Sequence, residues 1–418
     1  MIRRFSLYGF LKNQRYFEDW WLLAFLAKGV TFTEWGLLVG FREVMINLME
    51  VPSGAIADLF GRRKSMLFSF AAYIVSFVIF GAADGLPLLF LGMAFFGLGE
   101  AFRTGTHKAM IFTWLQLQGR THEKTRTYGY TRSWSQYGSA VSVVIAAVIV
   151  FATRNYQYVF YVTVIPYLAG MVNFLGYPKA LDGEVAPDAK VSLRSVMVHL
   201  KDSLLVCARK PRVRRVLLES MGWAGVYKAV KDYIQPILKA SAVLWLGSLV
   251  VTEGLTKEQQ TALLVGPVFL CLYLLAAVGS RNVHRLVKGP DGEEHTSRLL
   301  WAISLGVFIV LIPSTVFCVR VVMILGFVAL YVLQNLWRPV LVSRFDTHSS
   351  HAQKATILSI ESQAGSLATA VLAPIVGYVI DVVRTRGACV GGGEFWPIGV
   401  LGTLVALAFF LTAKPAAE

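Results

Sequence analysis

The sequence predicts an all-α polytopic membrane protein, with twelve transmembrane helices in two six-helix halves. Three observations carry this reading. The 418-residue chain is 56% hydrophobic and only 16% charged, whereas soluble domains hold about 25% charged residues. Apolar runs recur about twelve times, each near the ~20 residues that a bilayer crossing needs. One long polar connection, 178–212, parts six runs from six.

The first six runs fall at about 5–28, 35–58, 64–83, 86–115, 128–151 and 157–177, and the second six at about 213–240, 259–280, 298–317, 320–342, 355–383 and 396–413. The stretch 240–257, ASAVLWLGSLVVTEGLTK, is apolar but short, and Gly247 and Gly254 break it. It reads as an outer loop. The organisation is therefore an N-terminal half over 1–177, a linker over 178–212 and a C-terminal half over 213–418. The linker begins polar and then turns amphipathic, with Val196, Val198, Leu200, Leu204 and Leu205 opposed by Lys201 and Asp202. Such a helix lies on a membrane surface.

Lys and Arg in short loops set the orientation. DLFGRRK, QGRTHEKTR, ARKPRVRR and RNVHRLVK carry clusters, while KGVTFTEWG, ADGLP and ATRNYQ are poor in them. Both termini are therefore expected in the cytoplasm, and RTRG at 384–387 is the exception. The net charge of +15 is loop charge on this reading and implies no nucleic acid. The opening MIRRFSLYGF lacks a small-residue cleavage site, so the first helix would itself direct insertion. No Walker loop, CxxC pair or Ser/His/Asp set appears with usable context. ATP-driven transport, a cofactor, a metal centre and an enzyme are accordingly not expected; FDTHSSH is not promoted to a metal site. Cys318 and Cys389 both fall on the expected outer face, where two free thiols are favoured over a disulfide.

Charge inside the apolar runs is costly, about 2.5–3.5 kcal/mol per group on insertion scales. Even so, FFGLGEAFRTGTHKAM carries Glu100, Arg103, His107 and Lys108. At helical spacing Glu100, Arg103, Thr104 and His107 share a face. Lys12, Arg15 and Asp19 do so in the first run, and Tyr128, Arg132, Ser135, Gln136 and Ser139 in the fifth. The seventh has Lys228, Lys231, Asp232 and Gln235, and the tenth Tyr331, Gln334, Asn335 and Arg338. Such stripes are tolerable where they face a water-filled pathway and one another. Basic groups outnumber acids on them, and guanidinium forks suit carboxylate or phosphate. The expected substrate is a small hydrophilic, anionic or zwitterionic solute. Arg103, Arg132 and Arg338 would hold it, with Gln136 and Asn335 as neutral partners. Asp19 and Glu100 are the candidates for proton coupling, since substrate could compete for their Arg partners. Pairing of Arg15 with Glu18, or of Glu100 with Arg103, is the structural alternative. His107 reads as a hydrogen-bonded packing residue rather than a titrating one.

GAIADLFGRRK, Gly54 to Lys64, closes the second run. It resembles the G-x-x-x-D-[RK]-x-G-[RK]-[RK] loop of the major facilitator superfamily. Gly54, Asp58, Gly61, Arg62 and Arg63 match, and Leu59 departs. Helix count and central linker agree with the resemblance across the whole chain. It implies the major facilitator fold, with a cavity lined by the first, fourth, seventh and tenth helices, and secondary active transport by a monomer in a bacterial inner membrane, amid its lipids. It also implies that the loop gates the cytoplasmic side, with Asp58 facing the start of the eleventh helix near Gln353 to Thr356. The fifth run lacks the proline of drug antiporters, and Met93 stands where they carry an Arg. A drug or metabolite exporter, or a non-transporting sensor on the same fold, is the alternative.

Overall fold

The computed structural model describes residues 1–182, 211–249, 253–282, 292–348, 354–387 and 391–412. Among them all regular structure is helical. The chain divides into two compact units, one of Met1–Lys28 with Phe41–Ser192 and one of Gly29–Gly40 with Leu193–Glu418. The expected amphipathic stretch of the linker lies outside the described residues.

The first unit is built from α1 (Ile2–Lys12), α2 (Trp21–Ala27), most of α3 (Phe32–Phe60), α4 (Arg62–Ala82), α5 (Leu86–Arg103), α6 (Thr106–Leu117), α7 (Lys124–Thr153) and α8 (Tyr158–Leu175). The second holds the start of α3 and then α9 (Pro211–Val230), α10 (Ile234–Leu246), α11 (Lys257–Asn282), α12 (Gly292–Val316), α13 (Arg320–His348), α14 (Lys354–Thr385) and α15 (Trp396–Thr412). Nine described helical stretches are long and apolar enough to cross a membrane.

Three of the predicted runs are interrupted. The run at 5–28 is α1 and α2 joined by a turn. Asn13 and Gln14 stop α1 because their side chains bond to α7. The Asn13 amide donates to the Ser135 carbonyl and to Ser139 Oγ, both at 2.8 Å, and Gln14 donates to the Gly138 carbonyl at 3.0 Å. The run at 86–115 breaks at Thr104 and Gly105, where Gly105 takes φ 80°, a region glycine enters without strain. The run at 213–240 is α9, a 3-10 turn over Lys231–Tyr233, and α10. Because α10 continues to Leu246, the expected outer loop begins later than position 240. The helical-face groupings drawn across these breaks therefore do not hold as single faces.

Aromatic rings fill the core of the first unit. Phe17 contacts Trp21 and Phe77, each at 5.0 Å between centroids, and Phe160 at 6.0 Å. Close helix approach uses glycine. A Cβ at Gly138 would stand 2.5 Å from the Phe10 carbonyl, and one at Gly9 would stand 2.9 Å from the Thr131 carbonyl. This seats α1 tightly on α7. In the second unit Trp223, Trp301 and Trp337 pack together, with Trp301 and Trp337 at 4.8 Å. The Trp223 indole donates to Gln334 at 2.6 Å. Arg344, 1% exposed, ties α9, α12 and α13. It donates to Glu219 at 2.5 Å, to Ser297 at 3.0 Å and to both oxygens of Glu294 at 3.0 and 2.7 Å.

Cys318, between α12 and α13, is disulfide-bonded. The expectation of two free thiols is thus corrected for it, and the proposed partner, Cys389, lies outside the described residues. Cys271 is free.

Candidate functional site: a basic cavity in the first unit

A cavity of about 310 Å³ opens between α1, the α5–α6 break and α7. The close α1–α7 packing and the break place its walls. α1 contributes Lys12, α5 ends on its rim with Arg103, α6 begins on it with His107 and Lys108, and α7 supplies Arg132, Ser135 and Gln136. No carboxylate lines it among the described residues.

Its cations differ in what already engages them. Glu100 accepts hydrogen bonds from both Arg15 and Arg103, and Arg15 also reaches Glu18 at 3.2 Å. Arg103 Nε donates to the Tyr73 hydroxyl at 3.1 Å. The Arg15 guanidinium lies 5.7 Å from the Phe96 ring centre. Arg15, Glu100 and Arg103 therefore form a paired cluster beside the cavity, which is how this apolar span tolerates its charges. Lys108 lies over the rings of Phe112 and Tyr128, at 5.6 and 5.5 Å. Lys12 and Arg132 make no ion pair with a carboxylate among the described residues, and Arg132 is exposed. The expectation that His107 is hydrogen-bonded is corrected at one atom: its Nε2 is buried with no hydrogen-bond partner.

Of the expected substrate ligands, the structure brings Arg103, Arg132 and Gln136 together at this cavity. Arg338 and Asn335 stand on α13 in the second unit. There Arg338 is already bound: Nη1 donates to both oxygens of Glu361 at 2.7 and 2.6 Å. Spacing along α13 could not reveal this, because Glu361 comes from α14. Glu361 is 3% exposed and also accepts a hydrogen bond from Ser220 of α9. It is a buried carboxylate that the sequence reading missed. Asn335 turns its amide onto the Tyr331 carbonyl at 2.9 Å. Asp19 is buried in the turn before α2.

The expected gating loop spans the α3–α4 junction. Gly61 takes φ 96°, so the turn requires glycine. Arg62 donates to Thr113 at 2.8 Å. The Arg63 N–H donates to Asp182 at 2.7 Å and its guanidinium to the Tyr177 carbonyl at 3.2 Å. Asp182, at the positive end of α4, is a second residue missed, since it lies far along the chain. A Cβ at Gly54 would meet no described atom within 4 Å. The Asp58 side chain, Gln353 and the side chains of residues 354–356 lie outside what is described.

The fold has known counterparts. The Major Facilitator Superfamily profile matches residues 16–353, and the chain belongs to that superfamily. An uncharacterised MFS-type transporter of Bacillus subtilis (strain 168), YxaM, is 22% identical over 229 residues, 53% of this chain and 54% of that one. The match thus spans about half the length of that relative. The crystal structure of the nucleoside transporter NupG superposes with a TM-score of 0.76 over 99% of both chains at 11% identity. That of a D-xylose-proton symporter does so with a TM-score of 0.70 over 99% of this chain and 97% of its own, at 15% identity. At such identities the likeness is one of fold. The chain is a multi-pass membrane protein of this superfamily, whose members are in general transporters rather than enzymes.

Proposed function

We propose that the protein is a secondary active transporter, working by alternating access, which moves a small hydrophilic anionic or zwitterionic solute across a bacterial inner membrane. One observation carries this reading: the cavity of the first unit is lined by Lys12, Arg103, Lys108 and Arg132 and by no carboxylate among the described residues. A cleft of one sign with low-dielectric walls concentrates the opposite charge. Arg132 is the principal ligand, because its guanidinium is unengaged. Arg103 contributes from within its Glu100 pair, and Gln136 offers neutral hydrogen bonds. Arg338 and Asn335 remain proposed ligands from the second unit.

Proton coupling is proposed at carboxylates whose Arg partners a substrate could draw away. Glu100 and Asp19 are the candidates from sequence, and Glu361 joins them because Arg338 holds it while being 51% exposed itself. A carboxylate losing its cation in an apolar site takes up a proton. Gly54, Asp58, Gly61, Arg62 and Arg63 are proposed as the gating loop, both termini as cytoplasmic, and the transporter as a monomer amid lipid. The Cys318 disulfide supports placing the α12–α13 turn on the oxidising, outer side. NupG and the xylose symporter are named for a nucleoside and a sugar; their likeness bears on fold, so the anionic reading rests on the cavity.

The test is thermal stability of the purified protein against a panel of metabolites, with Arg132→Ala alongside. A ligand of the native state raises the melting temperature by mass action. Stabilisation by anions that Arg132→Ala abolishes supports the reading. Stabilisation only by lipophilic cations, or by anions acting equally on the variant, overturns it in favour of an exporter.

A further inference from the structure

The proposed transport site leaves one of its own groups unused. His107 lines the cavity, is 9% exposed, and has no hydrogen-bond partner at Nε2. Its ring lies 3.8 Å from that of Tyr8 and meets Phe5 edge-on at 5.5 Å, so the imidazole plane is set by packing. A buried polar atom without a partner in a native structure calls for a ligand or a functional role.

The position of His107 in the chain supplies the second observation. It stands in the first turn of α6, directly after the break at Gly105. The first N–H groups of a helix have no carbonyl partner within it, and they carry the positive end of the helix dipole. Gly105 provides no side-chain cap. A twelve-residue helix therefore opens at the wall of a basic cavity, and broken membrane helices whose N-termini face a binding site suit anionic groups.

We propose that the N-terminus of α6 and His107 Nε2–H together form the subsite for the oxyanion head of the transported solute, with Lys12 and Arg132 balancing its charge, and that this head is dianionic. The inference rests on the anionic reading of the cavity. The charge count favours a dianion over a monoanion. Glu100 already offsets Arg103, whereas Lys12, Lys108 and Arg132 have no carboxylate partner among the described residues, so a single negative charge leaves two cations uncompensated. A phosphate monoester and a short dicarboxylate share this chemistry. The cavity volume, at the small end of ligand pockets, limits the rest of the solute.

The experiment is calorimetric titration of the full-length purified protein with inorganic phosphate, malonate and acetate. It is run on wild type, His107→Gln, His107→Asn and Arg132→Ala. A glutamine amide reaches the place of Nε2, whereas an asparagine amide stops near Nδ1, and both keep a polar side chain in the same pocket. Phosphate or malonate is expected to bind wild type more tightly than acetate. His107→Gln retains that binding, and His107→Asn weakens it roughly ten- to a hundredfold, the worth of a hydrogen bond to a charged group. Whichever dianion binds more tightly identifies the head as phosphate or carboxylate. If a dianion binds in an Arg132-dependent way but equally to wild type and His107→Asn, the subsite is wrong while the anionic cavity stands. If acetate binds as tightly as the dianions, the dianionic head is wrong. If no anion binds wild type, or Arg132→Ala changes nothing, the anionic reading itself fails and this inference with it.

Discussion

At the scale of single residues, the difference between Arg103 and Arg132 organises the site. Both stood out in the sequence as cations within apolar runs. Only the fold shows that one is held by Glu100 and Tyr73 while the other faces the cavity unengaged. Arg132→Ala is expected to abolish anion-induced stabilisation and leave the unliganded melting temperature nearly unchanged. Arg103→Ala is expected to lower that temperature, since Glu100 keeps Arg15 alone. Differential scanning fluorimetry of the two variants checks both. Arg344 was not legible, because its acids come from α9 and α12. Removing it leaves Glu219 buried, with Arg215 at 2.7 Å as its remaining cation. Arg344→Met is expected to cost about 3–5 kcal/mol, as for other broken buried pairs, visible as a large fall in melting temperature. Glu361 stands in the eleventh apolar run and was open to view as a charge, but its pairing with Arg338 was not: helical spacing finds partners on one helix and is blind to those across a packing interface.

At the scale of elements, the apolar runs gave the helices, since roughly twenty apolar residues leave the backbone few other ways to satisfy its hydrogen bonds in lipid. The breaks were not legible. Hydropathy dips at 13–20 (NQRYFEDW) and 231–233 (KDY) and hardly at 104–105 (TG), but a dip does not tell a helix break from a polar stripe facing a cavity, and what interrupts each helix is local. At the first, Asn13 and Gln14 are drawn onto α7; at the second, Gly105 takes a positive φ. A polar pair or a glycine inside a charged apolar stretch was the available signal. Gly105→Ala is expected to cost about 1–2 kcal/mol through its left-handed backbone, because a Cβ there meets no atom within 4 Å. It should also weaken anion binding by displacing the start of α6, which the titrations above would read. Gly138→Val, by contrast, fails on space: it would drive α1 from α7, costing about 1–3 kcal/mol, and open the cavity wall. Chemical denaturation separates the two cases, since Gly105→Ala keeps the α1–α7 contact.

At the scale of the whole molecule, the superfamily could be read from GAIADLFGRRK together with the recurring apolar runs, because that loop must turn tightly at Gly61 and carry charge beside a helix start. The substrate could not, since it depends on which cations the fold leaves unengaged. The proposed coupling belongs to this scale. Glu361→Gln is expected to abolish accumulation driven by a proton gradient while solute exchange at equal pH persists, which counterflow in liposomes measures.

The most direct test of the central claim is uptake into proteoliposomes of the best-binding anion under an inward proton gradient, with wild type and Arg132→Ala compared. The account predicts accumulation by wild type above the level without a gradient, and none by the variant. Tight binding of that anion with no flux through wild type in either direction would contradict it and make the protein a sensor on a transporter fold.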